Sequence, residues 1–145
     1  MSTRQPKESD TQKAFFTQVQ WLKNQDPRWN LVFAFPNEFP MQHMARRNQW
    51  LGHLKSMGSR PGFPDIFVFL PNHDFAGLAI ELKRSNGKLR DSQEECLDLL
   101  QEAGYCACVL FTDSAQDIVD LIQLYFDNEL ECATFLATGK GGSRK

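Results

Sequence analysis

From Asp91 to Gly139 the sequence contains no lysine or arginine, although eleven aspartates and glutamates fall in that stretch. The deficit is local. Residues 1–90 sum to +6 and residues 140–145 to +3, so the overall charge of −2 conceals opposed regions. A polyanionic partner is therefore met by the first 90 residues and repelled by the segment after them. Long apolar runs are also missing. None approaches the ~18 residues that a membrane-crossing helix requires. The opening MSTRQPKESD is polar and of mixed charge, unlike a secretory leader. The four cysteines include no Cys-x-x-Cys pair and all lie in the last third. That argues against a disulfide scaffold or a zinc ribbon and fits a reducing cytosol.

What is present suffices for one core. Of 145 residues, 41% are apolar, with twelve phenylalanines among them, which excludes wholesale disorder and matches one domain. Residues 1–7 read as an arm, 8–127 as the folded domain and 128–145 as a mobile glycine-containing tail. Ser9 or Asp10 can cap a helix to about Asn24, with Phe15, Phe16, Val19 and Leu22 on one stripe. Strands are expected at 31–35, 65–70, 78–83 and 105–111, where β-branched and aromatic residues concentrate. A weaker helix is expected at 41–57, stopped by Gly58. Ser92 with Glu95 matches a capping box for a helix to Ala103, and Ser114 can cap another. The order α-β-α-β-β-α-β-α, with strand–helix–strand late in the chain, implies a parallel or mixed sheet carrying helices.

The chemistry concentrates in two short stretches. Pro64-Asp65 opens one strand and Glu81-Leu82-Lys83 closes the next. Alternation along a strand puts Glu81 and Lys83 on one side, ~7 Å apart, and Leu82 on the other. A hairpin can bring Asp65 beside Glu81. Two converging carboxylates are hard oxygen ligands suited to Mg²⁺ or Mn²⁺. A divalent ion there can polarise a phosphodiester and acidify a bound water, with Lys83 positioning that water or offsetting charge on the phosphate. The alternative is a surface Glu–Lys ion pair. Against it, the strand from Ala76 to Leu82 is otherwise apolar, where an unpaired charge is costly.

Taken in order, Glu8-Ser9-Asp10-Thr11-Gln12, Gly62-Phe63-Pro64-Asp65, Glu81-Leu82-Lys83, Gly87-Lys88-Leu89, Gln93 and Gly104-Tyr105 resemble the VRR-NUC (virus-type replication-repair nuclease) domain of the PD-(D/E)xK phosphodiesterase superfamily. The resemblance spans roughly 8–125. It implies an α/β, restriction-endonuclease-like αβββαβ core, a central mixed sheet flanked by helices, with 41–57 as an insertion. It further implies that Asp65, Glu81 and the Leu82 backbone carbonyl ligate the metal, with Glu8 completing the site directly or through water. Lys83 is then the water-positioning lysine, and Gln93 lies near the lysine and the phosphate. Glu8 can equally be a helix N-terminal charge favoured by the macrodipole, and Gln93 an ordinary helix residue. Asn37-Glu38 and the 41–57 segment receive no role.

Arg46, Arg47, Lys55, Arg60, Arg84, Lys88 and Arg90 flank these motifs and suit phosphate contacts, which position a nucleic acid without reading its sequence. His43 and His53 match no ligand spacing, and Cys106 and Cys108 suit core packing. The resulting expectation is a Mg²⁺-dependent DNA endonuclease (Mn²⁺ substituting) that uses no small-molecule cofactor. It acts on branched, flap or junction DNA as a homodimer, in bacterial or phage-infected cytoplasm and away from membranes. Two rivals share the residues: a non-catalytic nucleic-acid-binding or assembly protein on the same fold, and a sequence-specific restriction endonuclease.

Overall fold

The structure, a computed structural model, describes residues 7–35, 46–60, 62–131 and 135–137. Its elements are α1 (Glu8–Gln25), β1 (Val32–Ala34), α2 (Arg47–Ser56), β2 (Ile66–Val68), β3 (Leu78–Lys83), α3 (Asp91–Glu102), β4 (Cys106–Phe111), α4 (Ala115–Phe126) and β5 (Phe135–Ala137), with a short 3₁₀ turn at Pro27–Leu31. The strands form one sheet in the order β1-β2-β3-β4-β5. β1, β2 and β3 are antiparallel neighbours, whereas β3–β4 and β4–β5 are parallel. This is the αβββαβ order with a mixed sheet, α2 standing between β1 and β2 as an inserted helix.

Each sheet face has its own cover. Val32, Ile66, Val68, Leu78, Ile80, Leu82, Cys108 and Leu110 pack with Phe15 and Val19 of α1 and with Ile118, Ile122 and Tyr125 of α4. The opposite face carries Phe67, Ala79, Ala107 and Val109 against Leu97 of α3. β3 lies between both layers, and all six of its residues are buried. An Ile or Leu truncated to Ala in such a strand costs ~2–5 kcal/mol. The strand that carries Glu81 and Lys83 is thus among the most constrained parts of the fold.

The ends of the elements differ from the sequence expectation in instructive ways. α1 begins at Glu8, with Lys7 at its cap position. Asp10 lies inside the first turn, where its carboxylate accepts the Lys7 backbone N–H at 3.0 Å. Neither Ser9 nor Asp10 is the cap residue. α3 begins at Asp91, so Ser92–Glu95 does not frame its start. Gln93 does, its Oε1 accepting the Arg90 N–H at 2.9 Å. Ser114 does stand at the cap of α4, but its side chain makes no capping bond; Thr112 Oγ1 instead accepts the Ser114 N–H at 2.9 Å. β1 and β2 are three residues each, shorter than the apolar runs containing them. Residues 128–145, read as a tail, contain β5, which pairs with β4.

Candidate functional site

The β2–β3 pairing delivers the carboxylates to one place. Ile66 lies opposite Ile80, and the Asp65 N–H still donates to the Ile80 carbonyl at 3.0 Å. Past that point the backbone ladder ends, and Asp65 Oδ2 accepts the Leu82 N–H at 2.8 Å. The carboxylate therefore replaces the missing strand partner and is fixed beside Glu81. Because N–H and C=O of one strand residue point the same way, the Leu82 carbonyl faces the Asp65 side too.

Glu81 and Lys83 stand on the α3 face of β3. They are 2% and 7% exposed, so neither is a solvated surface charge. Lys83 Nζ is 3.5 Å from Glu81 Oε1. Gln93 Nε2, in the first turn of α3, donates to the same Oε1 at 2.6 Å. Glu81 Oε2 is buried without a hydrogen-bond partner. Burial, and secondarily the charge of Asp65, push the Glu81 carboxyl up to about 8, with Lys83 opposing the rise. A buried carboxylate with one orphaned oxygen and a second carboxylate nearby is short of positive charge.

Glu8 arrives from the start of α1, its Oε1 accepting the Arg84 N–H at 3.5 Å just beyond Lys83. Its charge also raises the Glu81 pKa, which places it within electrostatic reach. Among the described residues, however, no three His, Cys, Asp or Glu side chains converge tightly enough to cage an ion unaided. The available donors are the Asp65 and Glu81 carboxylates and the Leu82 carbonyl. Mg²⁺ retains several waters and commonly uses only one or two protein carboxylates, so this donor set fits it. The orphaned Glu81 oxygen is the feature that such an ion would satisfy.

Gly62 explains the approach to Asp65. It adopts φ +87°, and a Cβ there would lie 2.5 Å from the Ser92 carbonyl oxygen. The loop can press against the start of α3 only because this residue is glycine. One glycine thus sets Asp65 and Gln93 in register around Glu81.

The basic residues distribute unevenly. Arg84, Lys88 and Arg90 lie on the β3–α3 connection at the rim of the site, Lys88 and Arg90 exposed and Arg84 half-buried. Arg46, Lys55 and Arg60 are exposed on and around α2. The side chain of Arg47 is outside the described residues, as are Glu38 and His43. Sequence reasoning missed the tie at Asp113, which accepts the Ser85 hydroxyl at 2.6 Å and so holds the connection after β3 to the β4–α4 loop. Its only sequence signal is a turn-forming Asp after a strand.

The family model for the VRR-NUC domain matches residues 7–112. The chain belongs to the VRR-NUC family. That span runs from the residue before Glu8 to the residue after β4 and takes in every candidate ligand. A solved structure titled "VRR_NUC domain protein" matches with a TM-score of 0.67 at 22% identity, covering 99% of this chain and 100% of that one. At that identity the likeness speaks for the fold. No curated protein is significantly similar to the chain. Among the described residues, no helix of this VRR-NUC protein is long and apolar enough to cross a membrane.

Proposed function

We propose that this VRR-NUC protein is a divalent-metal-dependent endonuclease that hydrolyses DNA phosphodiester bonds. The observation that carries the reading is the buried Glu81 carboxylate, one oxygen without a partner, beside Asp65 and Lys83. A charge in the middle of an apolar strand is expensive unless a cation completes it. Asp65, Glu81 and the Leu82 carbonyl would hold Mg²⁺ or Mn²⁺, with Glu8 acting through water. The ion supplies Lewis acidity toward a phosphodiester oxygen and an acidified water.

The chain's own residues do the remaining work. Asp65 is oriented toward β3 by the hydrogen bond it accepts from the Leu82 N–H. Gln93 fixes Glu81 Oε1, and the unpartnered Oε2 is the oxygen that would ligate the ion. The Lys83 ammonium orients the attacking water and offsets charge developing on the phosphate. Arg84, Lys88 and Arg90 grip neighbouring phosphates along the rim. In-line attack would leave 5′-phosphate and 3′-hydroxyl ends. A preference for branched, flap or junction DNA and a homodimeric state belong to the same reading.

The test is incubation with hairpin, flap, fork, four-way and linear DNA in Mg²⁺, Mn²⁺ or EDTA. Metal-dependent cleavage strongest on one branched class supports the reading. Cleavage that persists in EDTA contradicts it. DNA binding with no cleavage in either metal favours the non-catalytic rival.

A further inference from the structure

The sheet face that carries Asp65 and Glu81 continues onto β1 and β2, and there its composition changes. α3 packs over β3 and β4. Beyond its cover stand Phe33, Phe35 and Phe69, which are 50%, 39% and 46% exposed. Phe63 and Phe67 join them to the site. Phe35 lies 5.6 Å from Phe63 and 5.2 Å from Phe67, centroid to centroid. Phe33 lies 5.7 Å from Phe69, and Phe67 stacks on Phe69 at 5.6 Å with a 16° interplanar angle. Phe33, Phe35 and Phe69 form the exposed surface, and the buried Phe67 and half-buried Phe63 lie behind it and link it to the site, Phe63 standing two residues before Asp65.

Two features of this surface identify its occupant. The core face of these strands carries aliphatic side chains (Val32, Ile66, Val68), whereas the alternate positions Phe33, Phe35, Phe67 and Phe69 are all phenylalanine, with the partly exposed Leu31 at the margin. An interface needing only apolar area has no use for that segregation. A surface needing flat π-faces does. In addition, neither Leu31–Phe35 nor Ile66–Leu70 contains a charged residue, so nothing along these strands repels a phosphate backbone. The platform is continuous with the carboxylate site and stands on the same face.

We propose that the Phe33–Phe35–Phe69 surface is a stacking platform for unpaired nucleobases, holding a single-stranded stretch of substrate beside the Asp65–Glu81 site. Aromatic side chains accept any base in this way, because every base presents a π-face. The inference rests on the nuclease reading and narrows its substrate to DNA with a single-stranded arm next to the cut.

The experiment measures binding of fluorescein-labelled dT15 and of a 15-base-pair duplex in EDTA, where no turnover occurs, for the wild type, Phe33→Leu, Phe69→Leu and the double variant. Leucine preserves apolar area and removes the ring. Each single variant is expected to weaken dT15 binding roughly tenfold, the double variant more, with duplex affinity unchanged. A dT15 probe carrying 5-bromouracil is expected to photocrosslink within 33–35 or 67–69. Unchanged dT15 affinity, or crosslinks only elsewhere, overturns the platform. So does a dimer that becomes monomeric in Phe33→Leu/Phe69→Leu while dT15 affinity holds, which makes the face a self-interface. The two readings fail separately: a protein that cleaves duplex and flap DNA alike with Mg²⁺ but ignores the leucine changes keeps its nuclease activity and loses the platform. One that binds dT15 through these rings and cleaves nothing keeps the platform and loses the nuclease.

Discussion

Gln93 and Glu81 meet side chain to side chain at 2.6 Å, and the Gln93 carbonyl oxygen simultaneously accepts the Arg90 N–H at 2.9 Å. One amide thus closes the start of α3 and clamps the buried carboxylate of β3. Gln93→Ala loses both bonds, and we expect ~1–2 kcal/mol of stability and ~10-fold in cleavage rate to go with them. Gln93→Glu can still accept from Arg90 but sets a second negative charge against Glu81. It is expected to be the slower enzyme and the more stable of the two only at acid pH. Thermal unfolding at pH 5 and pH 8, alongside single-turnover cleavage, checks both.

Glu81 weakens the metal-free fold. Its carboxyl titrates at about 8 in the folded chain against 4.5 when free. The folded state therefore binds that proton more tightly than the unfolded state does. For this group, stability is highest below pH 4.5, falls as pH climbs from there to about 8, and is level above. Glu81→Gln removes the penalty, so in EDTA its melting temperature should exceed the wild type's at pH 8.5 by several degrees and match it at pH 4.5. The difference amounts to a few kcal/mol at most. A variant that is less stable than wild type at pH 8.5 contradicts the assignment of a costly buried charge.

The same proton would compete with the proposed ion. If Mg²⁺ or Mn²⁺ binds through Glu81, its binding below about pH 8 has to expel that proton. Affinity should rise with pH up to that value and then level off. Calorimetry at pH 7 in two buffers of different ionisation enthalpy should register about one proton released per ion. Release near zero would show that the ion does not bind through this carboxylate.

Gly62→Ala should disturb the site without touching a ligand. The added Cβ meets the Ser92 carbonyl oxygen at 2.5 Å, and the φ of +87° adds strain. We expect ~2 kcal/mol or more of lost stability. In the fraction that stays folded, cleavage should fall because Asp65 no longer lies in register with Gln93. Unfolding and cleavage equal to wild type would contradict the account of the loop.

How much of this was legible in the sequence depended on where the signal was local. Leu78–Lys83 reads as a strand from its residues alone, and the structure places those six residues in one strand. The hairpin pairing of Asp65 with Glu81 followed from two strands and a short connection. Helix starts were less legible, because Gln93 and Asp10 reach back to backbone N–H groups from the third helical position, and Lys7 and Arg90 at the cap positions look unlike caps. β1 and β2 came out short because sequence runs of apolar residues do not mark where a ladder stops; Asp65 taking the Leu82 N–H marks it. β5 was invisible, since three residues carry little periodicity and owe their pairing to β4. The phenylalanine surface was hidden for the opposite reason: exposed aromatic residues and core aromatic residues read the same until the sheet faces are assigned.

If Asp65 and Glu81 together hold an ion that drives hydrolysis while Lys83 serves the water and phosphate, loss of either function stops the chemistry and spares DNA binding. Single-turnover cleavage of a flap substrate in Mg²⁺ by the wild type, Asp65→Asn and Lys83→Ala, with DNA affinity measured in EDTA on the same preparations, separates the two. Both variants should remain folded, bind the flap within a few-fold of wild type and cleave it at least ~100-fold more slowly. Cleavage by either variant at the wild-type rate would contradict these roles.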